Sequence, residues 1–222
     1  MLRNRIIRAA IPKGSPIGFV DATDGTGAYG STGTITVSST DFMLVFSHGK
    51  IADPLSYYSY GGTSSGSVDT DFIYQQDTVG DSGNDYLNIA STLTVSSSGT
   101  LNMTENGGRA AGYGIIALDG GDNVSHSVGQ SGSISVSSVT TDDVIVIYET
   151  TQTLGSTAYT PATPSGYTSA FNHSYQVGRG GGTQNWACRV SYKTGQSGTV
   201  SHTIPSGSWD YIGSAIIRVY NS

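Results

Sequence analysis

Four histidines, His48, His126, His173 and His202, and a single cysteine, Cys188, are the side chains best suited to chemistry in this chain. An imidazole titrates near neutral pH, so it can act as general base or as a metal ligand. Nucleophilic catalysis needs that base beside a nucleophile, with an acid orienting it. Along the chain none of the four histidines has such neighbours. Gly129-Gln-Ser-Gly is one residue short of the Gly-x-Ser-x-Gly nucleophile elbow. Cys188 stands between Trp186 and Arg189 in a predicted strand and reads as an inert buried thiol. With one cysteine, no disulfide can form within the chain.

Gly25-Thr-Gly-Ala-Tyr-Gly30 has the spacing of a dinucleotide-binding loop. That chemistry needs a helix N-terminus after the glycines to hold the pyrophosphate, whereas the following residues predict a strand. Aspartates gather at Asp69, Asp71, Asp77, Asp81 and Asp85, and again at Asp119 and Asp122. Neither group has the spacing of a calcium loop, and Asp and Gly also suit tight turns. The expectation is therefore a protein with no catalytic residues, no cofactor and no metal. Tyr57, Tyr58 and Tyr60 form an aromatic cluster in a predicted loop spanning 47–71, where they could stack on a sugar or anchor an interface.

The elements that would hold these residues follow from an internal repeat. Gly30–Phe46 and Gly129–Tyr148 share one pattern. A glycine turn leads into an alternating strand, Thr-Ile-Thr-Val or Ser-Ile-Ser-Val. A polar turn ending in Asp41 or Asp143 comes next, followed by an apolar run, Phe42 to Phe46 or Val144 to Tyr148. The second copy carries three extra residues, placed by this reading in the turn. Further landmarks recur in order: Phe72 and Phe171, Tyr86 and Trp186, Gly99-Thr-Leu and Gly198-Thr-Val. The closing strands also correspond, Gly112-Tyr-Gly-Ile-Ile-Ala-Leu and Gly213-Ser-Ala-Ile-Ile-Arg-Val. A spacing of roughly a hundred residues is too long for a solenoid unit and suits one compact β domain.

Short apolar blocks, 31 glycines and no helical periodicity predict an all-β protein. The expected fold is two tandem, internally duplicated antiparallel β-sandwiches, jelly-roll or immunoglobulin-like, over residues 18–120 and 121–222. An extended N-terminal arm, residues 1–17, precedes them. Strands are expected at Ile17–Val20, Phe72–Gln75, Tyr86–Val95 and Gly99–Met103. Only 12% of the residues are charged, and the net charge is −6. Arg3, Arg5, Arg8 and Lys13 lie in the arm, which leaves the body with six basic and sixteen acidic groups. An acidic body disfavours nucleic acid as a partner. No stretch is long and apolar enough for a transmembrane helix. The basic N-terminus lacks the apolar core of a signal peptide, so synthesis in the cytosol is expected. The arm reads either as a frayed terminus or as a segment that orders on a neighbouring subunit, and Ile6, Ile7 and Ile11, interleaved with its cations, favour the second.

Pro164-Ser-Gly-Tyr-Thr, with the Gly-rich alternating strand before it and the closing Ile-Ile strand after it, resembles a β-sandwich domain of tailed-bacteriophage virion proteins. The first half fits apart from that loop. The resemblance implies a structural part of the virion, such as a capsid decoration or cement protein, a head fibre or a tail component. It also implies other virion proteins as partners and a homo-oligomeric state. Together with the arm, it leads to the expectation of a capsid decoration protein anchored by Arg3, Arg5, Ile6, Ile7, Arg8, Ile11 and Lys13. The alternative is a tail or fibre adhesin that binds surface glycans through Tyr57, Tyr58 and Tyr60.

Overall fold

A computed structural model describes residues 15–27, 32–50, 55, 58–77, 85–105, 111–155, 158–179 and 182–222. The protein is all-β. The first half holds β1 (Gly18–Gly27), β2 (Thr32–Val37), β3 (Asp41–Lys50), β4 (Tyr58–Gly62) and β5 (Gly66–Val68). It continues with β6 (Ile73–Asp77), β7 (Asp85–Val95), β8 (Gly99–Glu105) and β9 (Ala111–Asp119). The second half holds β10 (Asn123–Gly129), β11 (Ser133–Val139), β12 (Val144–Leu154) and β13 (Thr168–Arg179). β14 (Gly182–Thr194), β15 (Gly198–Thr203) and β16 (Tyr211–Tyr220) complete it.

Among the described residues all the strand pairs are antiparallel, in four sheets. The large sheet of the first half runs β1-β9-β3-β7, with β5 and β6 both pairing the far side of β7; that of the second runs β10-β16-β12-β14-β13. Each half adds a small sheet, β2-β8-β4 or β11-β15. The halves thus share one strand order, with β4 and β5 particular to the first. The region 47–71, expected to be loop, instead continues β3 to Lys50 and then forms β4 and β5. Glycine-rich polar sequence there predicts a loop because its alternation, with Tyr58 and Tyr60 inward and Ser59 outward, is only three residues long.

The apolar runs have a specific cause. Successive strand residues face opposite ways, and both faces of each large sheet are covered. In β3, Phe42, Leu44 and Phe46 point toward the second half, while Met43 and Val45 point toward the small sheet of their own half. In β12, Val144, Val146 and Tyr148 face the first half, and Ile145 and Ile147 face β11 and β15. The two large sheets are therefore packed face to face, with a small sheet outside each. Among the described residues the layers number four, with a large core between each adjacent pair and a smaller apolar cluster of Leu87, Tyr175 and Trp186; the central core is shared between the halves. The outer strands alternate as a one-sided sheet must: Ile35 and Val37, or Ile134 and Val136, are buried between exposed Thr or Ser.

Two aspartates fix the entry to the central strands. Asp41 accepts from the Ser38 amide at 2.7 Å, and Asp143 accepts from the Thr140 amide at 2.8 Å. Both turns have the same length. Of the three extra residues of the second copy, one lies in the strand instead, at a β-bulge between Val136 and Val139, where Ser138 takes a φ of 57°, and the other two come before Val136. Pairing sets Ile35 opposite Leu101 and Val136 opposite Val200, so these two are the counterparts, two residues from the correspondence read in the sequence.

Glycines let the large sheets approach. A Cβ on Gly114 of β9 would lie 2.2 Å from the ring of Phe171, and one on Gly112 would lie 2.4 Å from the Nε2 atoms of both His48 and His173. Phe19 stacks on Tyr192 across the same seam, with ring centroids 4.2 Å apart.

Candidate functional site

At one end of the central seam the side chains with chemical potential converge. His48 comes from β3, His173 from β13, Cys188 from β14 and Asp24 from the edge strand β1. His173 and Cys188 are cross-strand partners, and His48 faces them from the opposite sheet, across Gly112 of its own neighbouring strand. His173 Nδ1 lies 2.7 Å from Asp24 Oδ2, and its Nε2 lies 3.3 Å from His48 Nε2. On the other side of the His48 ring, Nδ1 lies 3.3 Å from the Tyr148 hydroxyl, which donates to the Ser47 carbonyl at 2.7 Å. The Tyr175 hydroxyl donates to the His48 carbonyl at 3.1 Å. One ligand atom each of His48, His173 and Cys188 lie within 4.8 Å of one another.

His48 and Cys188 are buried, His173 is almost so, and Asp24 is 30% exposed at the sheet edge. Burial holds the His48 imidazole well below its ordinary pKa, and the neighbouring His173 adds to this. Burial pushes the Cys188 thiol well up, with Asp24 and Glu149 adding and Arg189 opposing. A thiol reagent is therefore expected to leave native Cys188 unmodified over hours and to label it fully in denaturant, by mass spectrometry. Rapid labelling of the native chain would contradict this burial.

The matching strand order of the two halves supplies an internal comparison. Pairing registers make Thr150 the counterpart of His48, Asn88 that of Cys188 and Gln75 that of His173. At this second position Thr150 Oγ1 donates to the Leu87 carbonyl at 2.5 Å and lies 2.9 Å from the Asn88 amide. That amide lies 3.1 Å from Gln75. There the seam is closed by amide and hydroxyl hydrogen bonds; at the first position the same places carry two imidazoles and a thiol.

No protein-family model, curated protein or solved structure matches this chain.

A second buried polar group lies between β12 and the small sheet of the second half. His202 Nε2 is 2.9 Å from Glu149 Oε1, and Glu149 opposes Arg189 on β14. The remaining Glu149 oxygen and two Arg189 nitrogens are buried without a hydrogen-bond partner. Burial lowers the Arg189 pKa, and Glu149 counteracts part of that effect. The pattern is a buried charge cluster: Ser133 Oγ donates to the His202 carbonyl at 3.2 Å, not to its ring, and among the described residues no serine or cysteine side chain is bonded to the imidazole.

Tyr58 and Tyr60 are not loop residues. They are strand residues of β4 with their rings in the core of the first half; the Tyr58 hydroxyl bonds Ser47 Oγ at 2.7 Å, and that of Tyr60 donates to the Leu55 carbonyl at 3.0 Å. Tyr57 lies outside the described residues, as do Arg3, Arg5, Ile6, Ile7, Arg8, Ile11 and Lys13 of the arm. The histidine–cysteine cluster had no signal in the linear sequence. Its members are separated by up to 140 residues, 164 with Asp24, and only the packing of two sheets joins them.

Proposed function

We propose that this protein is a non-enzymatic structural component of a tailed-bacteriophage particle, a decoration or cement protein held to the capsid by its N-terminal arm. The observation that carries the reading is the root of that arm. Ile17 is buried in the central core, and its amide donates to the Asp142 carbonyl at 2.8 Å. Asn221, next to the C-terminus, donates to the Ser15 carbonyl at 3.4 Å. The arm thus leaves from the seam where both halves and the C-terminal strand meet, so a pull on it is shared by the whole stack. A basic, isoleucine-bearing segment on such a base can add apolar burial and main-chain pairing to a neighbouring subunit.

The glycan-adhesin alternative needed the tyrosine rings at the surface, and two of the three are in the core. The test is a deletion of residues 1–14, which spares Ile17. Co-sedimentation with capsids should fall to background while the circular dichroism and melting temperature stay as in the full chain. A truncated protein that still decorates particles would rule the reading out.

A further inference from the structure

We propose that His48, His173 and Cys188 bind one zinc ion between the two large sheets, with Asp24 orienting His173 from outside the ligand set. The proton positions carry the argument. A carboxylate only accepts, so the 2.7 Å contact with Asp24 places a proton on His173 Nδ1. Tyr148 gives its hydroxyl proton to the Ser47 carbonyl, so its oxygen accepts from His48 Nδ1. Each ring then has its neutral-state lone pair on Nε2, and these two atoms face each other at 3.3 Å. Two lone pairs at that distance repel unless something positive lies with them.

Zinc is the occupant that accounts for the whole cluster. Zn–N bonds of about 2.0–2.1 Å and Zn–S bonds of about 2.3 Å set neighbouring tetrahedral ligand atoms roughly 3.3–3.7 Å apart. The two Nε2 atoms already have that separation. A proton shared by the rings would give the thiol no part, whereas imidazole and thiolate together form a borderline-soft donor set suited to zinc and unsuited to calcium or magnesium. Charge also closes: a dication, one thiolate and the Asp24 carboxylate sum to zero, as a buried site requires. A carboxylate on the far nitrogen of a ligating histidine is the usual outer support of such sites. Gly112 leaves the space, because a side chain there would overlap both Nε2 atoms. In the other half the counterpart residues satisfy one another through hydrogen bonds, so no ion is needed there.

The test uses the full chain, unfolded in chelator and refolded with zinc, with cobalt(II) or with neither. One metal per chain is expected by elemental analysis, with a cobalt–thiolate charge-transfer band in the near ultraviolet and a melting temperature at least about 5 °C above the metal-free protein. Cys188→Ser should abolish the charge-transfer band. Asp24→Asn, at a partly exposed position that leaves the core intact, should weaken zinc binding about 10–100-fold. A wild-type chain that refolds without retaining zinc or cobalt would overturn the site. So would a low-field shared imidazole proton in the nuclear magnetic resonance spectrum of the zinc-treated chain, and so would an undiminished band in Cys188→Ser.

Discussion

Cut between Asp119 and Asn123, neither half of the chain is expected to persist as a soluble folded monomer. Each half contains a sandwich of its own, but one face of its large sheet is completed only by the other half. In the first half Phe42, Leu44, Phe46, Ile73, Ile116 and Leu118 would lose that cover. Each such side chain contributes about 1.5–3 kcal/mol when fully buried, so the exposed face costs on the order of 10 kcal/mol. That matches the entire stability of an ordinary domain, about 5–15 kcal/mol. Expressed separately, the halves should aggregate or bind a hydrophobic dye; co-expressed, they should reassemble into a one-to-one complex. For the intact chain, heat should produce a single transition by both fluorescence and circular dichroism. Two separated transitions, or a first half that is monomeric and cooperatively folded alone, would show that the central core contributes far less than its composition implies.

Glu149→Ala is expected to lower stability by about 3–5 kcal/mol, the range for removing one partner from a buried charge pair. The carboxylate is buried and takes the His202 bond, and it is the counter-charge nearest the largely buried Arg189 guanidinium. Its removal leaves a cation in the interior with two unbonded nitrogens. For a unit of this size the melting temperature should fall by roughly 6–20 °C. Adding Arg189→Met to Glu149→Leu should recover most of the loss, because replacing all the charge by apolar volume removes the desolvation penalty along with the attraction. A double variant no more stable than Glu149→Ala would mean that the cavity left behind, rather than the unpaired charge, dominates.

The all-β class, the antiparallel strands and most strand positions were legible in the chain because each depends on local pattern. Alternation in Thr-Ile-Thr-Val reports one buried face, and Phe42–Phe46 reports two. The polar turns ending in Asp41 and Asp143 were readable for the same reason: an aspartate that caps the amide three residues before it needs no distant partner. The strands at Tyr58–Gly62 and Gly66–Val68 were missed because short, glycine-rich edge strands take their stability from the sheet they join. Continuous apolar runs said that both faces of β3 and β12 were covered without saying by what. Only the tertiary structure decided that the cover on one side is the other half of the chain. The same decision gathered His48, His173, Cys188 and Asp24, which no spacing could announce, since residues on facing sheets meet through packing and not through sequence distance. It also turned Tyr58 and Tyr60 from surface candidates into core, because burial belongs to the assembled layers and not to the side chain.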